Sequence, residues 1–131
     1  MTAAAPAVAL SQIGQIALTV RDLKTMTAFY RDTLGMKFLF EAPPKMAFFD
    51  CGGVRLLLGQ EDKANPAHPA SILYYKVADI RAAFEALAAR GVPVVEKPAL
   101  VAKLPDHDLW LASLRDPEDN VFALMSEVRK A

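Results

Sequence analysis

The chemistry available to this chain centres on two histidines and one cysteine. His107 lies between carboxylates in the segment Pro105-Asp106-His107-Asp108, a setting that suits a lid residue or a proton donor titrating near neutral pH. The same segment fits a solvated loop histidine equally well. His68 lies in a proline-containing stretch. Cys51 has no histidine near it in the sequence, which favours a small buried hydrophobe over a nucleophile.

Composition and charge exclude several classes of function. The 131 residues include fifteen basic and fifteen acidic side chains, scattered singly, so no net field favours nucleic acid or an anionic membrane. One cysteine cannot form an internal disulfide, and no Cys/His spacing typical of a zinc site occurs. The apolar residues 1–10 are interrupted by proline and are too few to span a bilayer. We expect a cytoplasmic protein whose partner is a small molecule, with no nucleic-acid or membrane partner.

The chain repeats one order of elements. Ile13 to Val20 has the pattern of a strand, Asp22 suits an N-cap, and a helical stripe then runs to Gly35. The order returns about 57 residues later, with a strand at 72–77 and a second cap at Asp79. Three short strands are predicted after each helix. They span 37–40, 46–49 and 54–58 in the first copy and 92–95, 109–114 and 121–125 in the second.

The repeat predicts one domain over residues 1–131 that consists of two modules. Module one spans about 12–60, a linker spans 61–70, and module two spans about 71–127. A strand-helix-strand-strand-strand module can cover one face of its sheet with a helix but leaves the other face open. Two such open faces together can enclose a pocket.

Four motifs carry a family resemblance. They are Ile13-Gly14-Gln15-Ile16-Ala17-Leu18-Thr19-Val20 with Asp22-Leu23, then Phe29-Tyr30, then Leu34-Gly35, and finally the turn Asp116-Pro117-Glu118-Asp119-Asn120. Their order and spacing resemble the vicinal oxygen chelate superfamily, which includes glyoxalases, bleomycin resistance proteins and extradiol dioxygenases. The resemblance covers about Ile13 to Glu127. It implies an α+β fold in which two tandem βαβββ modules form a curved mixed sheet around a cavity, often completed by a homodimer.

Members of that superfamily that use a metal take ligands from the first and last strand of each module. Carried over by motif, those positions are Gln15, Leu56, Ile72 and Ala123. Only Gln15 has a side-chain donor, and an amide oxygen is a weak ligand for zinc or iron. We therefore expect a divergent member that lacks most metal ligands and uses no metal or other cofactor. The alternative is a rebuilt site that combines His107 or a neighbouring aspartate with Gln15.

Strand alternation predicts which residues line the cavity. If Gln15 faces inward, the lining is mostly apolar with a few polar groups, which suits a small apolar or aromatic molecule. The expected ligand-binding residues are Gln15, Thr19, Leu56, Ile72, Tyr74, His107 and Ala123. Gln15 is equally suited to a hydrogen bond with backbone, and Tyr74 to a packing role with a solvated hydroxyl.

Three functions are compatible with these patterns. The first is metal-free binding of a small apolar or aromatic molecule, as in the drug-sequestering branch of the superfamily. The second is a lyase, isomerase or dioxygenase with a rebuilt metal site or with His107 as its acid–base catalyst. The third is a structural or regulatory module whose cavity is filled by its own side chains. A homodimer is expected in each case, because sheet edges and apolar surface remain for a second chain to cover.

Overall fold

Both modules have the predicted order of one strand, one helix and three strands. The computed structural model describes residues 8–42 and 45–130. Module one contains β1 (Gln15–Val20), α1 (Leu23–Ala28), β2 (Lys37–Ala42), β3 (Met46–Cys51) and β4 (Val54–Gln60). Module two contains β5 (Tyr74–Lys76), α2 (Ile80–Ala89), β6 (Val94–Lys103), β7 (His107–Arg115) and β8 (Val121–Arg129). α1 continues directly into a π-helical segment, Phe29–Thr33.

The helices begin at the aspartates that the sequence predicts. The Asp22 carboxylate accepts a hydrogen bond from the backbone N–H of Thr25 at 3.2 Å, and the Asp79 carboxylate accepts one from Ala82 at 3.1 Å. Each bond satisfies a backbone donor that has no partner inside the helix. The bond from Thr25 also lowers the pKa of Asp22. Among the described residues, no helix is long and apolar enough to cross a membrane.

Each module forms its own four-stranded mixed sheet. The strand orders are β1-β4-β3-β2 and β5-β8-β7-β6. The first and last strands of a module pair in parallel, and the other neighbours pair in antiparallel fashion. α1 contacts β3 and β4, while α2 contacts the three other strands of its sheet, β6, β7 and β8. Each helix therefore covers one face of its own sheet and leaves the other face open.

The helix-covered faces of the two sheets share one core. Its largest fully buried side chains come from both modules and include Phe49, Leu58 and Leu114. Phe29, which follows α1, packs edge-on against Phe122 of β8 with ring centroids 6.0 Å apart. Such aromatic pairs add about 0.5–1.5 kcal/mol to the effect of buried area. Because the core crosses from one module to the other, the two open faces are held in a fixed relation.

A second contact joins the modules through the turn before β8. The Glu118 carboxylate accepts hydrogen bonds from the backbone N–H groups of Arg21 and Asp22 at distances of 2.8 to 2.9 Å. Within the turn, the Asp116 carboxylate accepts bonds from the backbone N–H groups of Glu118 and Asn120, both at 2.9 Å. The order of polar residues in this turn thus has a structural use. It ties the start of α1 to the last strand of the chain.

Most strands differ from the prediction at one end or both, and β5 is shorter than the predicted 72–77. Two differences bear on the candidate site. β6 continues to Lys103 instead of ending at Val95, and it passes through Pro98 where the pairing with β7 is irregular. A proline has no N–H to donate, and an edge strand with bulges tolerates that loss. His107, which the sequence places in a loop, is the first residue of β7.

Candidate functional site

The open face of the second sheet carries a row of four residues, one from each strand. Tyr74 of β5 lies opposite Ala123 of β8. Ser113 of β7 pairs with Ala123 on one side and with Glu96 of β6 on the other. The strand neighbours of Ala123 and Ser113 belong to the core, so alternation places this row on the open face. Its two central side chains are small and its two outer side chains are large, which makes the row a trough.

The trough is the floor of a pocket of about 300 Å³. Apolar side chains form most of its walls, namely Ile72, Val95, Leu111 and Val121. Ile72 and Tyr74 are 47% and 52% exposed, whereas Ala123 at the floor is only 3% exposed. The structure therefore brings Ile72, Tyr74 and Ala123, three of the expected ligand-binding residues, into one pocket.

The sequence did not predict several residues of this pocket, and four of them shape it most. They are Val95, Glu96, Leu111 and Ser113. The predicted sixth strand ends at Val95, so Glu96 had no strand partner in the prediction. Leu111 and Ser113 lie in a predicted strand whose two faces are both apolar, which leaves no signal for choosing one. The burial of Ala112 and Leu114, at 2% and 0% exposure, decides the choice.

The open face of the first sheet carries a row that is wholly apolar. In register across the four strands it consists of Ala17, Leu57, Phe48 and Phe40. The rings of Phe40 and Phe48 are stacked, with centroids 4.7 Å apart, although Phe40 is 48% exposed. Gln15 is exposed at the end of β1 on this face, where it pairs with Arg55.

The predicted orientation of Leu56 is wrong. Its side chain is 2% exposed and belongs to the core on the helix-covered face, while its neighbours Arg55 and Leu57 share the open face with Gln15. Both alternating sets of β4 are apolar, so hydrophobicity alone does not distinguish the two faces. Gln15 and Leu56 thus lie on opposite faces of one sheet. Thr19 does not line the 300 Å³ pocket, and its hydroxyl accepts a hydrogen bond of 3.3 Å from the side-chain amide of the linker residue Asn65.

Other hollows occur among the described residues. A small one of about 180 Å³ has Leu56 and Tyr74 in its lining. Two larger ones lie away from the open faces. One of about 420 Å³ lies between the modules and includes Cys51 and Tyr75 in its lining. Burial raises the pKa of the Cys51 thiol, and it raises the pKa of Tyr75 to about 12, so neither group is activated by its surroundings. The other, of about 600 Å³, lies beside α1 and β2, and the described residues that line it include none of the expected site residues.

One family model matches most of both modules. It is described as the Glyoxalase/Bleomycin resistance protein/Dioxygenase superfamily, and it covers residues 12–124. The chain belongs to this superfamily. The match confirms the resemblance drawn from the motifs, and the fold of two βαβββ modules is confirmed with it.

Known proteins from several bacteria match most of the chain. Uncharacterized protein YraH from Bacillus subtilis (strain 168) is 29% identical over 126 residues, which cover 84% of this chain and 94% of the relative. The structure of lactoylglutathione lyase from Agrobacterium tumefaciens is 26% identical, covers 88% of this chain and 93% of that one, and has a TM-score of 0.67. An integron cassette protein from V. cholerae is 22% identical with a TM-score of 0.75, and the match covers 91% and 97% of the two chains. This last likeness shows the fold.

The metal positions of the superfamily do not fit a cation here. Gln15 lies on the open face of the first sheet, Leu56 lies in the core, and Ile72 and Ala123 lie in the pocket of the second sheet. A single amide oxygen, with no imidazole, thiolate or carboxylate beside it, is a poor site for zinc or iron. Over residues 8–42 and 45–130, no group of three or more His, Cys, Asp or Glu side chains could hold a metal ion.

His107 lies among charged side chains at one end of the second sheet and does not line the 300 Å³ pocket. Its Nδ1 is 2.8 Å from Oδ1 of Asp106, and its Nε2 is 3.1 Å from Oε2 of Glu127. Glu127 also pairs with Lys76 at 2.7 Å. The solvated-loop interpretation is wrong, because the His107 side chain is only 17% exposed. The two carboxylates face opposite ring nitrogens, so they cannot bind one metal ion together with the imidazole.

These contacts change the acidity of the carboxyl groups. Lys76 is the main cause that holds the pKa of Glu127 below its ordinary value, and the hydrogen bond with His107 is the main cause that lowers the pKa of Asp106. Both carboxylates therefore stay charged at neutral pH. Together with Lys76 they fix the imidazole on the sheet surface.

Proposed function

We propose that this chain binds a small apolar or aromatic molecule in the pocket on the open face of the second sheet, without a metal ion. The convergence of Ile72, Tyr74 and Ala123 carries the proposal, because two strands far apart in the sequence place them around one floor. Apolar walls with a few polar groups are typical of small-molecule sites, which occupy about 300–1,000 Å³. A pocket at the lower end of that range suits a compact ligand.

Binding suits this pocket better than catalysis. Its side-chain polar groups are those of Tyr74, Glu96 and Ser113, and they are spread along a row that crosses four strands, about 14 Å in all. Glu96 and Ser113 are direct neighbours in this row, but Tyr74 lies at its far end, and the described lining includes no histidine or cysteine to act with them as base or nucleophile. His107 has both ring nitrogens engaged by carboxylates and lines a different part of the sheet. These contacts disfavour the alternative of an enzyme with His107 as its acid–base catalyst.

Titration with the neutral dye N-phenyl-1-naphthylamine tests this proposal. Its fluorescence increases in an apolar site, so a saturable increase with one dye per chain is expected. Ile72→Ala removes part of the pocket wall, and Ala123→Leu fills the floor. Both variants are expected to weaken binding at least threefold, since each changes the apolar contact area by several methyl or methylene groups.

Val101→Ala is the matched control for Ile72→Ala. Val101 is 51% exposed and Ile72 is 47% exposed, but Val101 lies on β6 outside the described lining of the pocket. Its variant is expected to bind the dye with the wild-type affinity. An equal affinity for the dye in Ile72→Ala, Ala123→Leu and Val101→Ala, or no saturable binding by the wild type, would argue against a ligand site in this pocket.

The protein is also proposed to form a homodimer in the cytoplasm. Outside the pocket, exposed apolar side chains occur on the first open face and along the edge strand β6, including Phe40 and Val101. A second copy can cover such surface, and contiguous apolar patches of this kind typically mark interaction sites. The lone thiol of Cys51 suits a reducing compartment, because it has no partner for a disulfide within the chain.

A further inference from the structure

The described lining of the second-sheet pocket contains one acidic side chain and no basic one. Glu96 lines the pocket, and its pairing with Ser113 directs its side chain toward the open face. Among the described residues that line the pocket, none is basic. Among residues 8–42 and 45–130, Glu96 has no Lys, Arg or His within ion-pair distance. A carboxylate thus lies at one end of an otherwise uncharged trough.

Two basic residues that flank the pocket on its own strands are paired with carboxylates, and Lys97, which follows Glu96 on β6, is not among the residues that line the pocket. Lys76 follows Tyr74 on the same face of β5, and its Nζ lies 2.7 Å from a carboxylate oxygen of Glu127. Arg115 follows Ser113 on β7, and its Nε lies 3.6 Å from a carboxylate oxygen of Asp119. Neither cation is therefore available to offset Glu96 or to attract an anionic ligand. The field along the trough favours positive charge at the β6 end.

We propose that the pocket selects a ligand in which a compact apolar or aromatic body carries a protonated amine. This inference rests on the proposed binding function and names the chemical class of the ligand. The apolar body lies over Ala123 and Ser113, between Ile72 and Leu111. The ammonium group reaches the Glu96 carboxylate at the edge strand. A ligand with a carboxylate in that position faces repulsion from Glu96 and finds no cation in the lining.

Three probes that share a naphthalene ring and have similar sizes distinguish the effect of charge from that of apolar contact. They are 2-naphthylmethylamine, protonated at neutral pH, 2-naphthylmethanol, which is neutral, and 2-naphthoate, which is anionic. Their dissociation constants follow from methyl NMR titrations that monitor Ile72 and Ala123, so the same signals report the place of binding. The amine is expected to bind about three- to fivefold more tightly than the alcohol at low salt, because a solvent-exposed ion pair contributes no more than this. Added salt is expected to reduce the difference.

Glu96→Gln tests the source of the selectivity. This variant keeps the shape of the side chain and removes its charge, so the amine and the alcohol are expected to bind with equal affinity. Glu85→Gln, at an exposed position of α2, removes the same charge away from the pocket and is expected to keep the wild-type preference.

Each outcome distinguishes the two proposals. If none of the three probes shifts the Ile72 and Ala123 signals, the proposed binding function is wrong. If the probes bind there with equal affinity, or 2-naphthoate binds most tightly, the pocket remains a ligand site but the inference on ligand class is overturned. A preference for the amine that Glu96→Gln leaves unchanged also overturns the assignment of Glu96.

Discussion

The Glu118 carboxylate accepts the backbone N–H groups of Arg21 and Asp22 at 2.8 to 2.9 Å, although 97 residues separate Glu118 from Arg21. These donors lie just before α1, where no helical carbonyl can satisfy them. The turn before β8 thereby supplies a hydrogen-bond acceptor for backbone donors that have no acceptor within α1. This contact, with the shared core, sets the relative position of the two open faces.

Glu118→Ala is expected to lower the free energy of unfolding by about 1–2 kcal/mol, because it leaves backbone donors without a charged acceptor. Urea unfolding followed by circular dichroism measures the change. Glu85→Ala, at an exposed position of α2, is the control and is expected to change stability by less than about 0.5 kcal/mol. Equal stabilities of the two variants would show that the contact has no energetic role.

Lys76→Gln is expected to raise the pKa of Glu127, since Lys76 is the main cause that lowers it. A carboxyl whose folded pKa is lowered stabilises the fold above its unfolded pKa, ordinarily 4.5, and this contribution is lost as the pH falls through the folded pKa. The wild type is therefore more stable than the variant above that pH, and the difference disappears in acid. Carboxyl NMR titration of Glu127 measures the shift. Lys130→Gln, which removes the partner of Asp108, is expected to leave the Glu127 titration in place.

Tyr75→Phe is expected to keep or increase stability at neutral pH by up to about 1 kcal/mol, because the Tyr75 hydroxyl is buried without a hydrogen-bond partner. Burial raises the pKa of Tyr75 from 10.0 to about 12. An acid with a raised pKa stabilises the fold below its unfolded pKa, and that contribution is lost as the pH rises from 10 toward 12.

The variant lacks this ionisable group and is expected to lose less stability than the wild type in that range. Thermal unfolding at pH 7 and at several values between 10 and 12 gives the comparison. A variant that is clearly less stable at pH 7 would show that the hydroxyl has a partner.

Phe40→Glu is expected to weaken the proposed homodimer, because it replaces one ring of the stacked Phe40–Phe48 pair on the first open face by a charged side chain. Light scattering coupled to size-exclusion chromatography at micromolar concentration gives the mass of each variant. Ala88→Glu, on the exposed side of α2, is the control. A wild-type protein that is a monomer at that concentration contradicts the dimer, and a Phe40→Glu protein that remains a dimer excludes this face as the interface.

Local signals in the sequence predict the elements well. Asp22 and Asp79 cap the helices as expected because an N-cap depends on residues only three positions away. Alternation also places Tyr74 and Ala123 on one face, and the register of β5 and β8 agrees. Their role in binding stays a prediction, since register alone does not identify a ligand site.

Sheet faces and strand ends are harder to predict when both alternating sets are apolar. In β4, Leu56 and Leu57 are equally hydrophobic, yet only packing against α1 buries the first of them. In β6, a proline inside an edge strand resembles a loop signal, so Glu96 fell outside the predicted strand. Tertiary packing and irregular pairing decide both cases, and neither is encoded within a short window of sequence.

Purified, untagged protein is expected to contain less than one tenth of a metal ion per chain by elemental analysis. The physical reason is the donor set, because Gln15, Leu56, Ile72 and Ala123 provide one amide oxygen among them and lie on different surfaces. Dialysis against Zn²⁺, Fe²⁺, Ni²⁺ or Mn²⁺ at tens of micromolar is expected to leave the thermal unfolding temperature unchanged, since a bound cation would raise it by mass action. One tightly held ion per chain, or a clear increase in that temperature with any of the four metals, would contradict the metal-free proposal and favour the alternative of a rebuilt metal site.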